Sequence, residues 1–577
     1  QFIETIKETH LAYLSMIHQH LSQDPDAVRT GFETVLRRKG VVFDAEARTR
    51  EALQGRLSDT ARQEWTRLTI LRSELARLLL SKPETMSGET YRGRLAALQQ
   101  ELEQAEQHLA KESWLVAKEL QQRTIALNKV AQNLPKQSAL VEFVKIRDVD
   151  FAKNRWLPTW RYLAFVLLNS GEVSLLELGE AAALEGQVQR ALQDIKVSME
   201  ARGLQLLKKP ITANSTQPSS QSLKTLYSQV WAPLEKALGG AEKVVVSPDG
   251  LLNLVSFAAL IDGSGRALVE TYRLAYVSSG RELVAAEGVV LKPESDLLLV
   301  ANPAFDGTIR GTNKREESLR SRDFRGVFSP LPGTEREAKE IPPLVPSKGG
   351  KKNVLVESSA TEHAVKTTRS PRILHLATHG FFLQDKEIDP CVEARGVTVL
   401  KKTTPEEKAL CEKARGVTVV KNKKPAPPKR YENPLVRSGL AFAGANKASQ
   451  ITEGDDGILT ALEITGMDLY GTELVVLSAC DTGIGEVKTG EGVFGLRRAF
   501  SLAGAKNLLM SLWPVSDEIT ANQMKAFYQN LQKLPPAEAL RQAQLETIRE
   551  LKTQYNGIAP PGLWAPFILQ GAQALGQ

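Results

Sequence analysis

Six nearly continuous aliphatic runs in the C-terminal half of the chain constrain its fold more than any other feature. Runs of this kind form strands that are covered on both faces, as in a mostly parallel sheet with crossover helices. Helical patterns lie between the runs, for example at RRAFSLAGA (497–505) and at residues 520–531. Thr334 and Glu337 in LPGTEREAKEI (331–341) have the spacing of a capping box and predict the start of another helix. Residues 241–577 are therefore predicted to form an α/β domain with helices on both faces of the sheet. The six runs are KVVVSPDG (243–250), DLLLVANP (296–303), NVLVES (353–358), RILHLATHG (372–380), ELVVLSACDTG (473–483) and NLLMSLWPV (507–515).

Residues 1–135 have a helical pattern instead. A stripe of leucines at helical spacing, Leu95, Leu98, Leu102 and Leu109, runs among glutamates and glutamines. This region is predicted to be either a helical bundle or the end of a helical-repeat array, with the stripe in its core. No clear 34-residue self-similarity favours the repeat.

Residues 136–240 change to short strands and then return to helix. Polar turns separate three strand-like runs, which predict a β-meander before the α/β domain. A helical pattern follows at residues 181–206, and residues 210–222 have the Ser, Thr and Pro content of a linker. The three runs are ALVEFVKI (139–146), RYLAFVLL (161–168) and VSLLEL (173–178).

The composition excludes several classes of protein. The 577 residues carry a net charge of only +7, from 74 basic and 67 acidic side chains, which is a weak indication of nucleic-acid binding. Three cysteines cannot build a disulfide framework, so we expect a reducing, cytoplasmic setting. No signal peptide is visible, and no apolar run approaches the roughly 20 residues that span a bilayer, so we expect no membrane association.

No motif in the sequence predicts a metal or a cofactor. Gly490, Gly492 and Gly495 match G-x-G-x-x-G ahead of a helix. However, about nine residues separate them from the preceding strand, whereas the dinucleotide fingerprint needs a tight strand-to-helix turn. A phosphate-binding P-loop is absent from the sequence, and no histidine, cysteine and carboxylate cluster has zinc-ligand spacing.

Two strand ends carry residues that could act together in catalysis. His379 and Gly380 end one aliphatic run, and Cys480 lies where another stops. The carboxyl ends of parallel strands share one edge of the sheet, so an imidazole could deprotonate the thiol there. The backbone amides of Gly380 and Cys480 are candidates for stabilising an oxyanion. The alternative is that Cys480 is a buried, inert thiol, and His375, inside its strand, is interpreted as a core histidine.

An insertion separates these two strands at about residues 390–432. Within it, CVEARGVTVLKK (391–402) is echoed by CEKARGVTVVKN (411–422), and a basic, proline-rich stretch follows. Its lysines favour a surface loop, since they could not be buried unpaired. A regulatory or cleavable loop is the functional alternative.

Several sequence blocks in the right order resemble the CHAT domain family. These are caspase-like cysteine peptidases, related to separases and often found behind tetratricopeptide repeats in bacteria. Weaker similarity extends over nearly the whole chain and is dense from about residue 240 to 577. The strongest blocks are HLATHG (375–380), LVVLSACDTG (474–483), GEGVFGLRRAFSLAGA (490–505) and SLWPVSD (511–517).

The resemblance implies roles for individual residues. It implies His379 as the general base and Cys480 as the nucleophile, with no third carboxylate assigned. Separases carry a block similar to WPVSD and cleave after Arg, which makes Asp517 a candidate for the floor of a pocket that reads a basic residue. The alternative is that Asp517 only caps the helix that follows it. Asp481 either shapes the site or belongs to a turn.

The leading interpretation is a cysteine endopeptidase that cleaves protein substrates, preferentially after a basic residue, and is regulated through its helical N-terminal region by a protein partner. Self-cleavage after Arg395 or Arg415 is a further hypothesis. The alternatives are a non-catalytic scaffold built on a caspase-like remnant and another thiol hydrolase. Direct nucleic-acid binding ranks low, because the basic insertion has hardly any aromatic residues for stacking.

Overall fold

The computed structural model describes most of the chain. The residues outside this description are 1, 41–58, 81–86, 122–125, 204–217, 285–291, 308–327, 384–432, 452–453, 480–481, 483–484, 491 and 577. Gln1–Phe382 and Pro434–Gln577 together form one compact unit. The predicted insertion, with Cys391, Arg395, Cys411 and Arg415, lies outside the described residues.

Helices occupy the described part of the N-terminal region. Asp24 accepts two backbone N–H groups at the start of the second helix, which is the usual work of an N-cap side chain. Leu95, Leu98 and Leu109 of the predicted stripe are buried where two long helices pack against each other, and Leu102 is partly buried beside them. Val436 and Leu462 complete that cluster. The helices are α1 (Phe2–His20), α2 (Pro25–Arg38), α3 (Asp59–Leu80), α4 (Gly88–Gln121) and α5 (Leu127–Asn133).

The predicted meander is present, but it is continuous with the sheet of the α/β domain. Its three strands pair antiparallel, and the first pairs in parallel with the first strand of the C-terminal half. A helix begins at Pro218, inside the stretch predicted as a linker. Pro218 is compatible with this helix because proline fits the first helical position. The elements are β1 (Ser138–Asp150), β2 (Arg155–Leu168), β3 (Val173–Glu180), α6 (Ala181–Gly203) and α7 (Pro218–Val230).

The C-terminal half contributes most of the sheet and helices to both of its faces. Its elements are β4 (Lys243–Ser247), α8 (Leu268–Thr271), β5 (Arg273–Tyr276), β6 (Ser295–Pro303), α9 (Pro332–Glu340), β7 (Lys352–Glu357), α10 (Glu362–Lys366), β8 (Pro371–Ala377), β9 (Gly380–Phe382), β10 (Ser438–Ala441), β11 (Ile458–Thr460), α11 (Ala461–Ile464), β12 (Leu474–Leu477), β13 (Glu486–Lys488), β14 (Gly492–Phe494), α12 (Leu496–Leu502), β15 (Leu508–Ser511), α13 (Asp517–Leu531), α14 (Pro536–Gln554), α15 (Pro561–Trp564) and β16 (Phe567–Gln570).

Within the described residues, eleven strands form one sheet in the order β3-β2-β1-β4-β5-β16-β15-β12-β8-β6-β7. β16 runs parallel to β5 but antiparallel to β15, so the sheet has two parallel halves of opposite direction. One half is β1-β4-β5-β16, next to the antiparallel β2, and the other is β15-β12-β8-β6-β7. The carboxyl ends of β8, β12 and β15 therefore lie at one edge, and those of β4 and β5 lie at the other. Separate hydrophobic clusters cover the two faces, and helices contribute to both. The predicted fold class, a mostly parallel α/β sheet with helices on both faces behind a helical region, is confirmed.

One local expectation is wrong. Thr334 and Glu337 have the spacing of a capping box, but the N-cap of α9 is Leu331, so the box does not form. The Thr334 hydroxyl instead bonds to backbone groups of Leu331 and Asn302, and Glu337 turns into the core.

No helix among the residues described is both long and apolar enough to cross a membrane.

Candidate active site

His379 follows β8 at the edge where the parallel strands β8 and β12 both end. Leu376 of β8 pairs with Leu477 of β12, and the Ser478 N–H donates to the Leu376 carbonyl at 2.9 Å. His379 and Cys480 are each three residues beyond that pair in the sequence. Cys480 and Asp481 themselves lie outside the described residues.

The His379 ring is held in a nearly closed environment. Its side chain is 4% exposed and lies between Phe305 and Phe328, with ring centroids 5.1 and 5.5 Å away. Nε2 lies 2.8 Å from the carbonyl oxygen of Ser329. A carbonyl can only accept, so Nε2 carries the proton, and Nδ1 of the neutral ring carries the lone pair that can take one.

Asn446 fastens the two aromatic residues beside this ring. Its side-chain oxygen accepts the Phe328 N–H at 2.6 Å, and its side-chain nitrogen donates to the Phe328 carbonyl at 3.0 Å and to Asp306 at 2.8 Å. Its own N–H donates to the Phe305 carbonyl. Neither Asn446 nor Ser329 was predicted from the sequence, because neither belongs to a recognisable motif. Ser329 acts through its backbone carbonyl, and the Asn446 side chain bonds to residues 118 and 140 positions away in the chain.

A small sheet of β9, β10 and β11 supports the other side of His379. The Ala441 N–H donates to the His379 carbonyl at 2.9 Å, and the Thr378 hydroxyl donates to the Ala441 carbonyl. Gly380 is paired with Leu440 across this sheet. Its role as an oxyanion donor stays a prediction.

The residues on both sides of Cys480 are tied to the end of β15. The Ser511 hydroxyl donates to the Ala479 carbonyl at 2.6 Å, and the Ser511 N–H donates to the Thr482 hydroxyl oxygen at 3.1 Å. Two contacts of one residue thus fix Ala479 and Thr482, which bracket the candidate nucleophile in the sequence.

His375 is a core histidine, as expected. Its ring is fully buried; Nε2 lies 2.9 Å from Glu337 and Nδ1 lies 3.0 Å from the Tyr528 hydroxyl. Glu337 also accepts the Ser478 hydroxyl at 3.0 Å. Burial raises the pKa of Tyr528, so this phenol stays neutral. The network joins α9 and α13 to β8 and to the residue after β12, and its role is structural.

Asp517 begins α13 and is half-buried. Its carboxylate accepts the Gly333 N–H in the first turn of α9. Asp517 therefore acts as a helix-capping carboxylate, but it caps α9 and not α13, the helix to which it belongs. A side chain at Gly333 would place its Cβ 2.5 Å from the Asp517 carbonyl oxygen, so the close approach requires glycine. Residues 329–333 therefore connect the two contacts: the Ser329 carbonyl lies at His379, and the Gly333 N–H lies at Asp517.

The described residues contain no group of three or more His, Cys, Asp or Glu side chains placed to hold a metal ion.

Comparison with known proteins identifies relatives on two levels. The CHAT domain family model matches residues 220–572. Human tetratricopeptide repeat protein 28 is 24% identical over 365 residues, which are 61% of this chain and 13% of the relative. The mouse protein of the same name is 33% identical over 115 residues, 20% of this chain and 4% of the relative. The chain therefore spans only a small part of the curated relatives that it matches.

The solved structures that resemble the chain include the separase–securin complex of Saccharomyces cerevisiae at 2.6 Å resolution. That match has a TM-score of 0.40 and 9% identity, and it covers 95% of this chain and 37% of the other. The family model covers more than half of the chain and includes both strands that lead to His379 and Cys480. The chain belongs to the CHAT domain family.

Proposed function

We propose that this chain is a cysteine endopeptidase in which His379 and Cys480 form the catalytic dyad. The observation that carries the proposal is the hydrogen bond from His379 Nε2 to the Ser329 carbonyl, because it leaves Nδ1 as the proton acceptor. The ring is rigidly held at the end of β8, and Cys480 follows the neighbouring strand in the sequence. The family match over both strands adds support.

In this mechanism His379 Nδ1 takes the proton of the Cys480 thiol, and the thiolate sulfur attacks the carbonyl carbon of the scissile peptide bond. The backbone N–H groups of Gly380 and Cys480 are the proposed donors to the oxyanion. The imidazolium then gives its proton to the leaving amine, the C–N bond breaks and an acyl-enzyme remains. Water attacks the thioester with His379 as the base, which releases the carboxylate product and restores the thiol.

The Ser329 carbonyl has a defined task in this cycle. It accepts from Nε2–H throughout, and its negative end stabilises the imidazolium that forms when Nδ1 is protonated. The carbonyl therefore orients the His379 ring, a role for which no third carboxylate was assigned. The flanking phenyl rings exclude water from the imidazole and keep its plane fixed.

For substrate selection, we propose that Asp517 attracts an Arg or Lys side chain before the scissile bond. The support is its place at the start of α13, linked through Gly333 to the segment that contacts His379. Its carboxylate already accepts one backbone N–H, so a substrate cation would share it. We also propose a cytoplasmic site of action and a protein partner that acts through the helical N-terminal region.

The test is cleavage of a mixed peptide library under reducing conditions, with new termini read by mass spectrometry. Wild type is compared with Cys480→Ala and with Cys391→Ala, which removes a thiol of the insertion as a matched control. The proposal predicts cuts by wild type and Cys391→Ala, mostly after Arg or Lys, and none by Cys480→Ala. Equal cutting by Cys480→Ala and wild type would overturn it, and cuts after other residues would remove Asp517 as the selector.

A further inference from the structure

A buried ion pair anchors the end of α2 to the sheet. Lys39 is 5% exposed and Glu142 is fully buried, and Lys39 Nζ lies 2.8 Å from Glu142 Oε1. The ammonium also donates to the Ser247 hydroxyl at 2.7 Å and to the Phe143 carbonyl at 2.9 Å. The other oxygen of Glu142 accepts the Gly280 N–H at 2.7 Å. Both charges are fully hydrogen-bonded, as buried charges must be.

The backbone beside Lys39 is fixed as well. Arg281 donates to the Lys39 carbonyl at 2.6 Å and to the Arg37 carbonyl at 3.3 Å, which gives partners to two carbonyls at the end of α2. The next residue, Gly40, donates its N–H to the Gly490 carbonyl at 2.7 Å. Gly40 and Gly490 have φ values of 67° and 77°, which favour glycine at both positions.

Gly490 lies at the tip of the β13–β14 hairpin, residues 486–494. The Gly490 N–H donates to Asp249 at 2.7 Å, so the tip is held by one contact on each side. At the base of the hairpin, Glu486 pairs with Arg437, whose guanidinium lies 5.9 Å from the Phe382 ring in the strand after His379. The hairpin thus extends from the N-terminal region to the small sheet beside the candidate site.

We propose that Lys39 is a positioning residue for Cys480. Its ion pair fixes the end of α2, so that Gly40 lies in hydrogen-bond contact with Gly490 at the tip of the hairpin. The hairpin begins only six residues after Cys480 in the sequence. A shift of α2 would remove one of the two contacts that hold the hairpin tip and, through the hairpin, change the reactivity of Cys480. The inference rests on the proposed function for its effect on peptide cleavage, but the coupling between α2 and the hairpin is measurable without it.

The test compares three variants by hydrogen–deuterium exchange and by peptide-resolved alkylation of Cys480. Lys39→Met/Glu142→Gln removes both charges at nearly constant volume and keeps the buried site neutral. Lys39→Arg retains the charge and tests for rescue. Arg161→Met is the matched control, because Arg161 forms ion pairs with Asp148 and Glu177 in the same half of the sheet and is remote from the hairpin in the contacts of the described residues.

The double variant is expected to increase exchange at residues 486–494 while β12 and β15 stay protected, and to change the Cys480 alkylation rate several-fold. In peptide cleavage it is expected to lower kcat about 10- to 100-fold with little change in KM, since a small misplacement of a reacting group has that effect. Lys39→Arg should restore part of both changes, and Arg161→Met should cause neither.

Unchanged exchange at the hairpin, or a uniform increase over the whole chain, would overturn the inference. If exchange and alkylation change as expected but neither wild type nor any variant cleaves peptides, the coupling is supported and the result counts against the peptidase. Cleavage by wild type with hairpin exchange unaltered in the double variant would support the peptidase and reject the role of Lys39.

Discussion

His379 Nε2 and the carbonyl oxygen of Ser329 are 2.8 Å apart, and this contact determines which ring nitrogen can act as a base. Because the acceptor is a main-chain atom, the identity of the residue at 329 has little influence on the ring. The contact therefore orients His379 without a second titratable group at that nitrogen.

Ser329→Ala should leave kcat/KM within about twofold of wild type, because the carbonyl remains. His379→Gln should lower kcat/KM at least about 100-fold, which is the usual scale for losing a general base. Steady-state cleavage of the best library peptide measures both. A Ser329→Ala defect as large as that of His379→Gln would show that the hydroxyl, rather than the carbonyl, matters.

Asn446→Ala should lower kcat/KM about tenfold, since Phe328, beside Ser329, loses two hydrogen bonds to the Asn446 side chain and Asp306 loses one. The matched control is Asn530→Ala, which removes amide contacts with Ala526 and Glu546 on the outer helices. Rates are compared at temperatures where both variants remain folded. Equal effects of the two substitutions would contradict a positioning role for Asn446.

Asp517→Asn separates the two roles of this carboxylate. The amide oxygen can still accept the Gly333 N–H, so stability should fall by no more than about 1 kcal/mol, the usual scale of a helix cap. The loss of charge should remove the preference for Arg and Lys before the cleaved bond. Retained preference in Asp517→Asn, measured by the same peptide library, would assign Asp517 to capping alone.

The free energy of unfolding should fall as the pH rises from about 4 to about 6, because the buried Asp456 carboxyl resists ionisation in the folded state. Burial, with the nearby Glu463 charge, raises the pKa of Asp456 from 3.8 to about 6, while its N–H donor Ile458 and the cations Lys366 and Arg77 act in the opposite direction. The folded state therefore binds more protons than the unfolded state between these values, and ionisation above pH 6 costs about 3 kcal/mol of stability.

Asp456→Asn should remove that dependence. Its free energy of unfolding should match wild type near pH 4 and exceed it by up to about 3 kcal/mol above pH 6. Urea unfolding at a series of pH values measures the difference. A constant difference across this range would contradict the raised pKa.

The strands could be predicted from the sequence because runs such as LVVL at 474–477 are continuous and buried on both faces. The place of β1 in the main sheet could not, because β1 joins β4 through a parallel pairing about 100 residues away along the chain. The opposite directions of the two halves of the sheet depend on β16, a four-residue strand without a distinctive pattern.

The candidate site divides in the same way. His379 could be recognised because a histidine after an aliphatic strand is a local signal. Ser329 and Asn446 could not, because Ser329 contacts His379 through a backbone carbonyl and the Asn446 side chain bonds to residues 118 and 140 positions away in the chain. Thr334 and Glu337 were misinterpreted for a related reason: their spacing satisfies a local rule, but Glu337 is hydrogen-bonded by His375 from a neighbouring strand.

The measurement that tests the dyad most directly is the pH dependence of Cys480 alkylation by iodoacetamide, followed at the Cys480 peptide in wild type and His379→Gln. In a dyad of His379 and Cys480 we expect a wild-type thiol pKa well below the ordinary value of about 8.5, since the imidazolium of His379 stabilises the thiolate. In His379→Gln the profile should return to that ordinary range or above it. Identical profiles in the two proteins would contradict a dyad of His379 and Cys480.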